Sequence, residues 1–383
     1  MLHLSKFLDH IPLSKKMNSI VIPDYINLIH PYEGGKPIKE LARELNIPEC
    51  NIVKLASNEN PLGISPKAKK AIEDNVQEVS RYPDGNAYYL KQAINKKFNI
   101  AKSQIILGNG SNDILELVAR TFLSVNDEAI YSEHAFAVYS LVIQAVGAKG
   151  IEVPANNYAH DLDKFLSAIN ENTKVIYIAN PNNPTGTLID KSTLKSFLDN
   201  VPNNIIVVLD EAYDEYLDDD LKSESFGWIT KYENLLISRS FSKAYGLAGL
   251  RLGYGVSSSH LIELMNRIRQ PFNVNSLAQI AAIASLDDDN FITTSKKINN
   301  LGMQQITTAF SSLGIDFIKS YGNFIAFKFK DEQTAMMYYQ HLLKNGIIVR
   351  SIANYKMPEF LRVSIGLELE NDKFINILSD CSI

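Results

Sequence analysis

Two cysteines in 383 residues, Cys50 and Cys381, stand far apart with no Cys-x-x-Cys or Cys/His spacing. That excludes a disulfide framework, gives no ligand set for a metal, and fits a reducing compartment, so the protein is expected in the cytoplasm. No stretch approaches the ~20 apolar residues of a membrane-spanning helix. A net charge of −5 supplies none of the basic excess that nucleic acid or an anionic membrane demands, and neither is expected as a partner. Repeats and low-complexity tracts are absent. Residues 1–16 interrupt their apolar residues with His3, Asp9, His10 and Pro12, which argues against a secretion signal. They are expected to be a disordered extension or to precede a natural start at Met17.

What is present is the composition of a soluble globular chain long enough for a large and a smaller domain. From Ala129 to Ser238, short apolar runs at 129–131, 149–153, 175–179, 205–209 and 235–238 alternate with helical patterns. Strands separated by helices predict an α/β fold with a mostly parallel sheet covered on both faces. After Pro271 the character changes to long helical patterns at 276–286 and 289–313, then to strands around a helix at 333–344. The expected division is an N-terminal extension and arm over 1–30, a large cofactor-binding domain over 55–271, and a smaller α+β domain formed by 31–54 with 272–383.

The stretch from Ser240 to Gly255 carries the chemistry. Lys243 lies between small hydroxyl residues and a glycine-spaced arginine, with apolar neighbours on both sides. An amine held partly out of water near other cations has a lowered pKa and can attack an aldehyde. Ser240, Ser242 and Arg251 offer charge-assisted hydrogen bonds to a phosphate, and the turn from Gly108 to Asp113, which opens a helix, offers free backbone N–H groups to an anion. A lysine nucleophile beside a phosphate cradle points to pyridoxal phosphate held covalently on Lys243.

In parallel sheets, ligands lie beyond the carboxyl ends of the strands. The predicted strands end in Asn183, in Asp210 followed by Tyr213, and in Ser240 to Lys243. An aspartate beneath a pyridine ring keeps its nitrogen protonated and makes the ring an electron sink. Asn183 and Tyr213 can bond the phenolic oxygen at the other side of that ring. Each polar residue alone is also a good cap or turn former; their recurrence at successive strand ends is what points to a site. Arg362 lies inside an apolar strand, where a charge needs either an anion or a structural ion pair.

Asn183 to Gly186, Asp210 to Tyr213, Ser240 to Lys243 and Arg251 together resemble the fold-type I pyridoxal-phosphate aminotransferases of classes I and II, over nearly the whole chain from Asp24. The longer stretches Pro31 to Pro37, Lys54 to Gly63, Arg81 to Pro83, Ser242 to Arg251 and Asn273 to Ala278 are similar to the histidinol-phosphate aminotransferase family. The resemblance implies a homodimer that transfers an amino group between glutamate and imidazole acetol phosphate, with these small molecules as its substrates. It implies that Lys243 carries the cofactor and shuttles the proton, and that Asp210 pairs with the ring nitrogen. Ser111, Asn112, Ser240, Ser242 and Arg251 would hold the cofactor phosphate, with Tyr82 reaching it from the other subunit. Tyr32, Asn323, Arg350 and Arg362 would bind substrate. Phe136 stands where many aminotransferases place a tyrosine against the ring, a departure that keeps an aromatic or broad-specificity aminotransferase open, as is a decarboxylase of a phosphorylated amino acid. A cofactor-binding regulator without turnover finds no DNA-binding segment before Asp24.

Overall fold

The computed structural model describes residues 22–31 and 34–381. The extension over 1–16 and Tyr32 therefore lie outside the described residues. Two sheets dominate. In chain order the strands are β1 (Val53–Lys54), β2 (Ile105–Gly108), β3 (Glu128–Ser132), β4 (Lys149–Val153), β5 (Thr173–Ala179), β6 (Ile206–Asp210), β7 (Leu235–Ser240) and β8 (Gly253–Val256). They continue with β9 (Asp316–Phe317), β10 (Phe324–Lys328), β11 (Ile347–Ile348), β12 (Arg350–Ser351) and β13 (Phe360–Ser364).

A seven-stranded sheet has the order β2-β8-β7-β6-β5-β3-β4. Strands β3 to β7 pair in parallel, while β8 runs antiparallel between β7 and β2. These strands read as near-continuous apolar runs because side chains alternate between two covered faces. On one face Ile176, Ile178, Val207, Leu209, Leu235 and Ile237 join one core, and on the other Val175, Tyr177, Ile206, Val208 and Leu236 join a second. The mostly parallel α/β sheet matches the expectation. Strand β8, with glycine at alternate positions, carries no apolar alternation and was not predicted.

The smaller sheet is antiparallel, ordered β12-β13-β10-β9, and packs on the helix Asp289–Leu313 around Phe310, Phe327 and Phe374. The arm joins this unit: β1 pairs in parallel with β11, and Leu41, Ala42 and Ile52 pack against Leu343 and Ile348. Helix Ser276–Leu286, which the change of character after Pro271 assigned to the smaller domain, instead buries Ala278, Ala281, Ala282 and Leu286 in the core of the seven-stranded sheet. Its small side chains let it lie against the helix Pro66–Asn75, so the large unit extends one helix beyond the expected boundary.

Behind the ends of β6 and β7 lies a buried ionic cluster. Arg239 donates to Oε2 of Glu211 at 2.9 Å through Nε and to Asp214 at 2.7 Å through Nη1, while Ser225 donates to the same Oε2 and Ser223 to Oε1 of Glu211. Glu215 stands 3.6 Å from the same guanidinium, and burial pushes its carboxyl up to about 7. Three carboxylates around one cation require that cation. Arg239→Met should lower stability by about 3–5 kcal/mol, the usual loss when one partner leaves a buried pair. Because the folded pKa of Glu215 lies above its ordinary 4.5, its contribution is complete below pH 4.5 and is lost as pH rises through about 7. Glu215→Gln should therefore flatten the fall of the thermal midpoint between about pH 4.5 and 7, and both variants can be checked by calorimetry across that range.

Candidate active site

Parallel pairing brings three strand ends to one edge. Ala179 of β5 stands opposite Asp210 of β6, and Asp210 opposite Ser238 of β7. Ser240 then pairs with Gly253, which pairs with Gly108 at the end of β2. A cavity of about 390 Å³ opens over this edge and is lined by Ser111, Asn112, Phe136, Asn183, Asp210, Tyr213, Ser240, Ser242, Lys243, Arg251, Arg350 and Arg362. Twelve residues named from the sequence thus meet in one place. Asn323 does not line it: its amide donates to the carbonyls of Asn58 and Glu59 at 3.0 and 3.3 Å and holds that segment in place. Tyr82 lies away from the cavity, highly exposed and stacked on Phe272 at 4.9 Å.

Lys243 presents its ammonium at the cavity wall, 3.3 Å from the carbonyl of Ser57 and 5.8 Å from the centre of the Tyr213 ring. Burial first, and then the charges of Arg362 and Arg251, lower its pKa from 10.5 to about 8. Asp210 is fully enclosed. Its Oδ2 accepts from Tyr139 at 3.0 Å, while its Oδ1 is buried with no partner. Burial raises this carboxyl to about 6, against the lowering effect of the Tyr139 bond. A carboxylate that lines a cavity and has one oxygen without a partner calls for a cationic or N–H donor nearby.

At the β2 end, Gly110 adopts φ +90°, and the helix Ser111–Phe122 begins with no side-chain cap, so its first-turn N–H groups are directed to the cavity. A Cβ on Gly253 would overlap the Ser111 nitrogen, and one on Gly110 would overlap the Arg251 guanidinium. Glycine at these two positions lets backbone and cation converge into an anion cradle, to which Ser240 and Ser242 add hydroxyls. On the opposite side, Arg350 and Arg362 face each other directly across β12 and β13. Like charges opposed on a sheet repel unless an anion bridges them. Arg362 donates to the carbonyl of Ala56 at 2.9 Å and to Oδ1 of Asn183, so it sets the orientation of the Asn183 amide.

The profile of the family described as "Aminotransferase class I and II" matches residues 51–378. The chain belongs to that family. Among this aminotransferase's relatives is the histidinol-phosphate aminotransferase of Methylobacillus flagellatus, 56% identical over 356 residues, spanning 93% of this chain and 96% of that one. The "Histidinol-phosphate aminotransferase 2" of Nitrosospira multiformis is 52% identical, spanning 93% and 91%. A crystal structure of the histidinol-phosphate aminotransferase of Sinorhizobium meliloti in complex with pyridoxal-5'-phosphate superposes with a TM-score of 0.88 at 25% identity, covering 96% of this chain and 100% of that one. The aminotransferase fold is thus shared over 96% of the chain.

Sequence reading missed Tyr139, Ser57, Asn58 and Tyr355, all of which line the cavity. Tyr139 had a signal: it follows Phe136 by three residues in a helical run, hence on the same face. The others had none, since they reach the site only through the packing of distant segments.

Reductive trapping of a small aldehyde on the protein should modify Lys243 at a rate that rises with pH up to about 8 and then levels, because the free amine is the attacking form. Arg362→Met, by removing a neighbouring cation, should move that midpoint upward. Peptide mapping by mass spectrometry reads both, and a midpoint near 10.5 in the unmutated protein would overturn the desolvated-lysine account.

Proposed function

We propose that this aminotransferase acts with pyridoxal phosphate on L-histidinol phosphate and 2-oxoglutarate, transferring the amino group reversibly between the histidinol phosphate/imidazole acetol phosphate and glutamate/2-oxoglutarate pairs, as its relatives are named. The residues present fit the cofactor by three independent features: the unpartnered Oδ1 of Asp210, the amine of Lys243, and the cradle at Gly110, Ser111 and Arg251, into which added Cβ atoms would not fit. When bound, the cofactor supplies an aldehyde for the amino group and a ring that accepts the electron pair left at the substrate's α carbon.

The chain's residues divide the remaining work. Ser111, Asn112, Ser240, Ser242 and Arg251, which line the cavity, would hold the cofactor phosphate, and Asp210, with an unpartnered carboxylate oxygen, would hold the ring nitrogen as a charged N–H. Asn183 and Tyr213 donate to the ring's phenolic oxygen. Lys243, with a pKa of about 8, is poised to give and take a proton at Nζ near neutral pH. Phe136 meets the ring of Tyr139 edge-on at 6.0 Å and walls the cavity with an apolar face. The opposed pair Arg350 and Arg362 carries the substrate assignment: one site must accept the carboxylate of glutamate and, in the other half-reaction, a phosphate. Planar guanidinium groups bind both anions through paired hydrogen bonds.

The fully exposed face of Tyr82, stacked on Phe272 and flanked by exposed Tyr88 and Tyr89, supports a homodimer in which this surface meets a second copy, with Tyr82 directed to the partner's phosphate cradle. Tyr32 on the arm would close over the substrate. Two free cysteines and the absence, among the described residues, of a helix long and apolar enough to cross a membrane support a cytoplasmic enzyme. Phe136, with no polar atom to discriminate substrates, favours the broad aromatic reading as the second possibility.

The deciding experiment compares amino donors on the purified, cofactor-loaded protein by stopped-flow absorbance. Conversion by histidinol phosphate should exceed that by phenylalanine about 10-fold or more in kcat/KM, since both donors place an anion on the arginine pair but a phosphate dianion gains more from two guanidinium groups than a carboxylate does. Arg362→Met should lower kcat/KM for both donors and narrow the gap between them, because the dianion loses more. Equal rates with phenylalanine would install the aromatic reading, and release of carbon dioxide from a phosphorylated amino acid without transamination would install a decarboxylase.

A further inference from the structure

Asn58 sits in the segment that crosses between the two sheets, fully buried and in the left-handed region at φ +53°. Its hydrogen bonds can be assigned by counting protons. The backbone N–H of Asn58 can only donate, and it does so to Oγ of Ser364 at 2.8 Å. The single proton of that hydroxyl then goes to Oδ1 of Asn58, at 3.0 Å. With Oδ1 fixed as acceptor, the amide is oriented, and its Nδ2 faces the Tyr213 hydroxyl at 3.0 Å. The nitrogen is a donor and carries no acceptor lone pair, so the tyrosine oxygen must accept. The phenolic proton of Tyr213 is thereby turned away from Asn58, and the side of the hydroxyl left for it is the cavity that Asn58 and Tyr213 both line.

We propose that Asn58 is a positioning residue that commits the Tyr213 hydroxyl to donate into the cavity, and that Ser364 sets this direction from the smaller sheet. This rests on the cofactor reading above, which gives the Tyr213 proton a phenolic oxygen to meet. Ser364 lies two residues from Arg362 on β13, so the strand that carries the anion-binding arginine also governs the proton of a residue in the large unit. Burial pushes the Tyr213 hydroxyl up to about 12, with the Asn58 bond opposing that rise. The tyrosine is therefore a neutral donor whose direction, rather than its charge, is what the neighbours control. The carbonyl of Asn58 is held in turn by Asn323, which accounts for a buried asparagine that does not itself reach the cavity.

Two substitutions separate direction from packing. Asn58→Asp keeps the size and the acceptor for Ser364 but presents Tyr213 with a carboxylate, which captures its proton. Asn58→Gly tolerates the positive φ and removes the amide altogether. Each is measured as apoprotein titrated with pyridoxal phosphate and by the pH midpoint of the absorbance change of the lysine-linked cofactor, in both the unmutated and Tyr213→Phe backgrounds. With Tyr213 present, Asn58→Asp should weaken cofactor binding about five-fold or more, the scale of one hydrogen bond, and raise the pH midpoint; Asn58→Gly should do the same to a smaller extent. Ser364→Ala, which frees the amide to turn over, should follow Asn58→Gly. In the Tyr213→Phe background the effects of Asn58→Gly and Ser364→Ala should vanish, and that of Asn58→Asp should shrink to the through-space effect of its charge. Equal effects in both backgrounds, or an unchanged midpoint in Asn58→Asp, would overturn the assignment even if the thermal midpoint falls. Failure of the unmutated protein to bind pyridoxal phosphate would instead overturn the cofactor reading itself.

Discussion

Lys243 is kept largely out of water beside cations of its own sign, and much of the structure exists to make that tolerable. A displacement from 10.5 to about 8 amounts to about 3 kcal/mol against the charged form. An isolated lysine would escape it by turning to solvent. Here Lys243 follows directly from β7, in the interior of a sheet covered on both faces, and its neighbours Phe241, Ala244 and Tyr245 are buried. The ammonium is held at the cavity wall between these buried neighbours and the nearby arginines, and the cost of its charge is expressed as reactivity.

The same logic applies to the opposite charge. Asp210 ends β6 with one oxygen satisfied by Tyr139, whose ring is stacked on Tyr177 at 5.0 Å, and the other unsatisfied. A half-satisfied carboxylate at the head of a sheet is unfavourable alone, and it turns from a defect into a binding group once a cation stands over it. Just behind it, Arg239 gathers Glu211 and Asp214 so that the loop carrying Asp210 and Tyr213 cannot drift.

The segment from Ala56 to Asn60 ties these parts together. Ala56 accepts from Arg362, Ser57 from Lys243, Asn58 is shared between Ser364 and Tyr213, and Asn60 donates to Ala244 and Ser295. Anion-binding residues on the smaller sheet and the lysine and tyrosine on the larger one are therefore linked through five consecutive residues.

Sequence alone determined what is local or periodic. The apolar runs of β3 to β7, the helices at 276–286 and 289–313, the glycine-opened turn before Ser111, and the polar residues that end successive strands follow from periodicity, capping and the rule that parallel sheets bind ligands at their carboxyl ends. It could not show β8, whose Gly253 serves close approach to Ser111 and whose Gly255 packs tightly against Ile106 and Ile114 rather than serving strand propensity. Nor could it attach helix Ser276–Leu286 to the large unit, because an alanine-rich face suits either neighbour until the packing is known. Tertiary structure decided which oxygen of Asp210 is left open, that Arg350 and Arg362 are opposed, that Asn323 supports the site from outside, and which way Asn58 faces. Each depends on atoms from separate segments, in two of the cases more than a hundred residues apart, meeting at hydrogen-bond distance or in register, and no local pattern encodes those meetings.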